Sequence, residues 1–165
     1  MRATNRSELF SRGKDSLLLY GFMFGPKMKT PCPMCTSLLD GLDGNARHIT
    51  RRVDLAVSAR SPIQRIVDFA KTRGWSSLRL ISSANNSFQK DYLAEDDEGN
   101  QWPMLNVFVR RKGAIHHFWG SELLFEKFAG GDMRHVDMLW PLWNALDLTP
   151  EGRGKDWYPA LSYRD

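Results

Sequence analysis

Apolar runs of strand length alternate with stretches of helical period along this chain. Leu17-Leu18-Leu19-Tyr20-Gly21-Phe22-Met23-Phe24 is apolar without alternation, which suits a strand buried on both faces of a sheet. Gly25-Pro26 and Pro31 then turn the chain, and from Pro33 the period becomes helical, with Cys35, Leu38, Leu39 and Leu42 on one face. Proline is favoured at a first helical position, where its missing N–H would have had no partner. The helix is therefore predicted to start at Pro33, with Cys32 at its N-terminus.

Val53-Asp54-Leu55-Ala56-Val57 reads as a second strand. Ser61 as N-cap and Pro62 as first residue open a second helix, whose stripe of Ile63, Ile66, Val67 and Ala70 ends before Gly74. Leu78 to Ile81 is a short third strand and Asn86 to Leu93 a single short helix. The segment from Ala94 to Gln101, with Glu95, Asp96, Asp97 and Glu98, reads as an exposed acidic loop without chemistry. Trp102 to Phe118 forms a hairpin with Gly113 in a basic turn. Strands alternating with helices predict an α/β fold, a central mixed β-sheet with helices on both faces.

The last third is rich in tryptophan. Trp140 and Trp143 are three apart and share a face if helical, so they either pack on the sheet or form a substrate or homodimer surface. His116, His117 and His135 are candidate acid–base partners for a thiol, although solvated or structural histidines are commoner. At 165 residues the chain is expected to form one domain over 1–165, with a tryptophan-rich extension from about residue 119.

A net charge of +4 and a pI near 9.2 raise nucleic acid as a partner. The basic groups Arg47, Arg51 and Arg52, and Arg110, Arg111 and Lys112, are not interleaved with aromatics in a reading motif, so no specific nucleic-acid partner is expected. Leu17 to Phe24 is too short to span a bilayer. Lys14 and Asp15 abut it and no small-residue cleavage site follows, which argues against a signal peptide and for a cytoplasmic protein without a membrane partner.

Cys32-Pro33-Met34-Cys35 holds both cysteines of the chain. A disulfide framework is excluded by count, and few cysteines fit a reducing compartment. Zinc would need two more ligands, and the four histidines are scattered, so no metal is assigned. A site completed by a distant histidine, and two cysteines packing as small hydrophobes, stay open as alternatives to a redox pair. At a helix start, unpaired N–H groups and aligned peptide dipoles favour thiolate, bringing cysteine pKa values from about 8.5 to roughly 3.5–7.5. Cys32 is the expected nucleophile, with Lys27 and Lys29 as possible electrostatic helpers, and Cys35 on the apolar face the expected resolving thiol.

A C-x-x-C after a buried strand, a βαβ unit and a proline opening a hairpin together resemble the thioredoxin fold, a three-layer sandwich. The resemblance implies a cis proline beside the sulfurs, for which Pro103 is the candidate, with Trp102, Pro103 and Pro31 as substrate-binding residues. Phe22-Met23-Phe24-Gly25-Pro26, Pro31 to Cys35, Val57-Ser58-Ala59-Arg60, Gly74-Trp75 and Asp147 to Arg153 are similar to an uncharacterised bacterial family of predicted dithiol-disulfide oxidoreductases related to peroxiredoxins. Members usually carry a longer region before the strand at Leu17, so the resemblance implies that this chain is short there. Peroxiredoxins place a threonine three residues before the reactive cysteine and a proline four before the threonine. Pro26 and Thr30 keep the second spacing, but Cys32 comes one residue early, which sets peroxide reduction below disulfide exchange.

The sequence therefore predicts a thiol-disulfide oxidoreductase without a cofactor. Its expected partners are a protein or small-molecule disulfide and an external thiol reductant. A redox-inactive binding module that uses the tryptophan-rich end is the alternative from another class.

Overall fold

A computed structural model describes residues 6–122, 139–152, 154 and 157–163. Its centre is β1 (Ser16–Phe22), followed by α1 (Pro33–Ile49), β2 (Asp54–Ala59), α2 (Ile63–Arg73), β3 (Leu80–Ser82), α3 (Phe88–Asp91), β4 (Met104–Arg111), β5 (Ala114–Ser121) and α4 (Pro141–Asp147). The five strands form one mixed sheet in the order β3-β2-β1-β4-β5. β1 runs parallel to β2 and antiparallel to β4, so the apolar run lies at the centre, paired on both edges.

Alternate residues of β1 serve two cores, which explains why the run does not alternate in polarity. Tyr20 and Phe22 join Leu55, Val57 and Leu105 beneath α1 and α2, with Leu38, Leu39, Leu42 and Ile66 supplying the helix side. Leu17 and Leu19 face the other way, against Leu9, Phe10, Ala56 and Phe108, with Phe88 and Tyr92 beside them. Among the described residues the second helix layer is thin, consisting of α3 and a 3-10 turn at Arg6–Leu9.

The helix starts and stops follow local chemistry. α1 begins at Pro33 with Cys32 capping it, as expected. Gly74 ends α2 at φ 76°, a left-handed conformation that a side chain resists. Ser61, expected as the N-cap of α2, is displaced by Pro62. Its hydroxyl instead donates to the Phe24 carbonyl, tying α2 to the loop after β1. The β4–β5 turn falls at Lys112 and Gly113, both at positive φ, as a tight hairpin of matching twist requires.

Two expectations are corrected. Trp140 precedes α4 rather than lying on it, yet Trp140 and Trp143 are both buried, with ring centroids 5.4 Å apart. His135 and much of the tryptophan-rich segment lie outside the described residues. The acidic loop is not wholly exposed: Ala94, Glu95 and Gln101 are buried, and Glu95 bridges Gln101. The Glu95 side chain is 1% exposed and pairs with Arg60, while Gln101 Nε2 donates to Glu95 Oε2 at 2.7 Å. Gln101 in turn packs on Gly25 so closely that a Cβ there would sit 2.8 Å from Gln101 Cγ. A charge run looks solvated in sequence, but one of its carboxylates bonds inward.

The two kinds of carboxylate in this run predict opposite outcomes. Glu95→Ala strands Arg60 and Gln101 and should lower unfolding free energy by about 2 kcal/mol, discounted because Arg60 is partly exposed. Asp97→Ala, at a side chain 98% exposed, should change it by less than about 0.5 kcal/mol. Urea unfolding of the two variants would measure both; equal effects would contradict the inward bonding of Glu95.

Candidate redox site

The strand β1 ends at Phe22, and its continuation places the cysteines. The Cys32 N–H donates to the Met23 carbonyl at 3.0 Å, which brings the start of α1 back to the carboxyl end of the central strand. The Cys32 carbonyl then accepts the Thr36 N–H at 3.0 Å and the Thr36 hydroxyl at 2.9 Å, closing the first turn. Cys35 falls on the buried face of that turn, 3% exposed, while Cys32 remains half-buried. Both are free thiols.

The two sulfurs are chemically unequal. The Cys35 thiol beside the Cys32 sulfur favours its thiolate most strongly, and the N–H groups of Cys35 and Met34 act in the same sense. Together they outweigh the burial that opposes charge, and lower the Cys32 pKa from 9.0 to about 6. Cys35 moves the other way, held well above its ordinary value by burial, then by its bond to Cys32 and that neighbour's charge. The Tyr20 hydroxyl and the Met23 N–H act on the Cys35 sulfur in the opposite sense, toward thiolate. Tyr20 itself is buried and pushed well above 10, first by burial and then by Cys35.

Lys27 and Lys29, expected near Cys32, are not among the groups that move its pKa. The Lys27 ammonium donates to the Glu98 carbonyl at 2.6 Å instead. The loop from Gly25 to Lys29 is gripped by Arg65 of α2. Its guanidinium lies 4.0 Å over the Phe24 ring and donates to the carbonyls of Gly25 at 3.1 Å, Met28, and Lys29 at 3.2 Å, and to Ser61 Oγ at 3.1 Å. Pro31 is buried, whereas Pro26 and Thr30 are exposed.

Pro103 and Trp102 lie on the same end of the sheet. The β1–β4 register ends with Gly21 opposite Met104, and Pro103 and Trp102 occupy the two positions just before β4. Both are half-buried. Among the described residues no peptide bond is cis, so Pro103 is trans, in contrast to the form the thioredoxin resemblance implied. The Trp102 N–H donates to the Ala94 carbonyl at 2.9 Å, which engages the donor that the resemblance would have offered to a substrate. His117, exposed on β5, bonds Asn106 Oδ1 at 2.9 Å and packs on Phe108, whose core lies on the other side of the sheet from Cys35. His116 is exposed. Among the described residues no cluster of three His, Cys, Asp or Glu side chains could hold a metal ion. Nor is any described helix long and apolar enough to cross a membrane.

Tyr20 and Arg65 are the residues that sequence reasoning passed over. Tyr20 carries the one side-chain hydroxyl in the Leu17–Phe24 run, a signal present in the pattern. Arg65 sits one helical turn after Ser61, which looks like an ordinary polar face until both side chains are seen to reach the loop.

A family model described as "Bacterial protein of unknown function (DUF899)" matches residues 4–164. No curated protein matches the chain. Among solved structures, the reduced 2-Cys peroxiredoxin of Plasmodium vivax is similar, with a TM-score of 0.51 at 16% identity, over 81% of this chain and 80% of that one. A Plasmodium yoelii peroxiredoxin, Prx1a modified at the N-terminus, gives a TM-score of 0.49 at 19% identity over 96% and 86% of the two chains. At that identity the P. vivax likeness speaks for the fold alone, and it agrees with the mixed sheet and helix order found here. By a match that spans nearly its whole length, the chain belongs to the DUF899 family of bacterial proteins, and its fold is thioredoxin-like.

Proposed function

We propose that this protein is a thiol-disulfide oxidoreductase whose Cys32 thiolate attacks a substrate disulfide and whose Cys35 resolves the mixed disulfide. The observation that carries this reading is the inequality of the two thiols. A half-buried sulfur with a pKa near 6 is largely ionised at neutral pH, and a buried thiol donates to it from one turn away. Attack needs a thiolate, and resolution needs a second sulfur that outside reagents reach poorly. The substrate is a protein or small-molecule disulfide, and a separate thiol reductant restores the dithiol. In this reading Trp102 and Pro103, just before β4, and Pro31, in the loop before α1, meet an approaching disulfide. Exposure of Thr30 gives no support for peroxide as the preferred oxidant.

Alkylation rate against pH tests the nucleophile directly. In the reduced protein one thiol should react with a midpoint near pH 6, and Cys32→Ser should remove that phase together with turnover of a model disulfide. A midpoint near 9, or turnover that survives the substitution, would sink the reading.

Stability of the reduced protein should carry the same signature. Cys32 has a depressed pKa when folded, so between about 6 and 9 the unfolded chain binds more protons and stability rises with pH. As pH falls through 6 that stabilisation is lost. Cys35 acts oppositely: its raised pKa makes the folded chain retain a proton above about 9, so stability declines again there. Urea unfolding from pH 5 to 10 should show this rise and fall in the wild type, with the rise missing from Cys32→Ser.

A further inference from the structure

We propose that Tyr20 is a positioning residue for the resolving step, donating through its hydroxyl to the Cys35 sulfur and holding that sulfur as a thiolate while it closes on Cys32. The inference rests on the exchange reading above and assigns a part of the site that neither the motif nor the family description supplies.

Tyr20 is placed for this by the sheet. It lies on β1 between Val57 of β2 and Leu105 of β4, with hydrogen-bonded strands on both sides, so its backbone cannot drift. Its ring is 2% exposed in the core beneath α1, the same core that contains Cys35. A hydroxyl in such a place needs a partner, because burying it without one is costly. The Cys35 sulfur lies in that same core, where it and the Tyr20 hydroxyl shift each other's pKa. The Met23 N–H, just beyond β1, acts on the same sulfur in the same sense as Tyr20. Among the described residues, the ionisable groups acting on Cys35 are Cys32 and Tyr20, and those acting on Tyr20 are Cys35 and Cys32.

The chemistry gives such donors a task. In the reduced protein the Cys35 thiol has the Cys32 thiolate beside it as an acceptor. Once Cys32 has attacked a disulfide, it is bonded to half of the substrate, the other half has left as a thiol after taking a proton from water, and that acceptor is gone. Cys35 must now lose its own proton to water in a buried, apolar setting. Its thiolate then forms the Cys32–Cys35 bond, the Cys32–substrate bond breaks, and the second substrate thiolate leaves and is protonated. Two electrons pass from the dithiol to the substrate. A thiolate in apolar surroundings forms readily only where fixed donors await it, as for any buried developing anion. Tyr20 stays protonated throughout, and so stays a donor.

An aromatic disulfide that releases a coloured thiolate separates the steps. With 5,5′-dithiobis(2-nitrobenzoate) in stopped flow, the wild type should release one equivalent as Cys32 attacks and a second, concentration-independent one as Cys35 resolves. Tyr20→Phe keeps the ring and removes the oxygen. The first phase should stay within about twofold, and the second should slow about tenfold with its pH midpoint raised by about one unit. An unchanged second phase in both rate and midpoint would overturn the role of Tyr20 while leaving the exchange reading intact. A wild type that releases no second equivalent would overturn both. Replacing Tyr20 by 3-fluorotyrosine, a stronger acid of nearly the same size, gives an arm that holds even if Tyr20→Phe fails to fold. There the midpoint of the second phase should move down, and a midpoint that stays in place would refute the proposal.

Discussion

Met23, one residue beyond β1, accepts the Cys32 N–H through its carbonyl at 3.0 Å, and its own N–H acts on the Cys35 sulfur. The geometry of the site descends from this junction. Because β1 is paired on both sides, the Met23 peptide is held at the end of the central strand of the sheet. The first turn of α1 inherits that rigidity. One cysteine is left at the open helix start and the other is pressed into the core, and from this placement their opposite pKa shifts follow.

The loop that carries the chain from Met23 to Cys32 has no regular structure to stiffen it. Arg65, Ser61 and the pair formed by buried Glu95 with part-exposed Arg60 do so from outside. Arg65 satisfies three loop carbonyls at once, which a planar guanidinium with several fixed donors can do and a lysine cannot. On the other flank, Gln101 packs on Gly25 and is itself held by Glu95. The acidic segment thus helps to hold the approach to Cys32 through two of its buried residues, while Asp97 and its neighbours remain in water.

What the sequence revealed and what it hid divide along the range of the interactions. The strand at β1, the start of α1 at Pro33 and the hairpin turn at Gly113 are governed by nearest neighbours in the chain, and periodicity and proline or glycine chemistry expose them. The thioredoxin-like sheet followed from their order. Ser61 was misread as a cap because serine before proline usually is one, and its bond to Phe24 joins residues 37 apart. Glu95 was misread because its partner is Arg60, and nothing in a run of acidic residues marks the one that turns inward. In sequence Tyr20 reads as one more apolar position, since alternation says which face a residue occupies and not what its hydroxyl meets there.

Burial is what separates the roles at this site. Cys35 and Tyr20 share the core beneath α1, and burial raises both, so each remains protonated at neutral pH and able to donate. Tyr20 acts on Cys35 and Cys35 on Cys32, and the negative charge collects at the one sulfur near solvent. That charge exists only in the dithiol. Oxidation to a disulfide removes it, and the N–H groups of Met34 and Cys35 then have no anion to stabilise. In the exchange reading, everything that lowers the Cys32 pKa therefore also favours the reduced form. The pair is drawn toward taking electrons more strongly than two ordinary thiols would be, and that bias is set by the placement of a helix start.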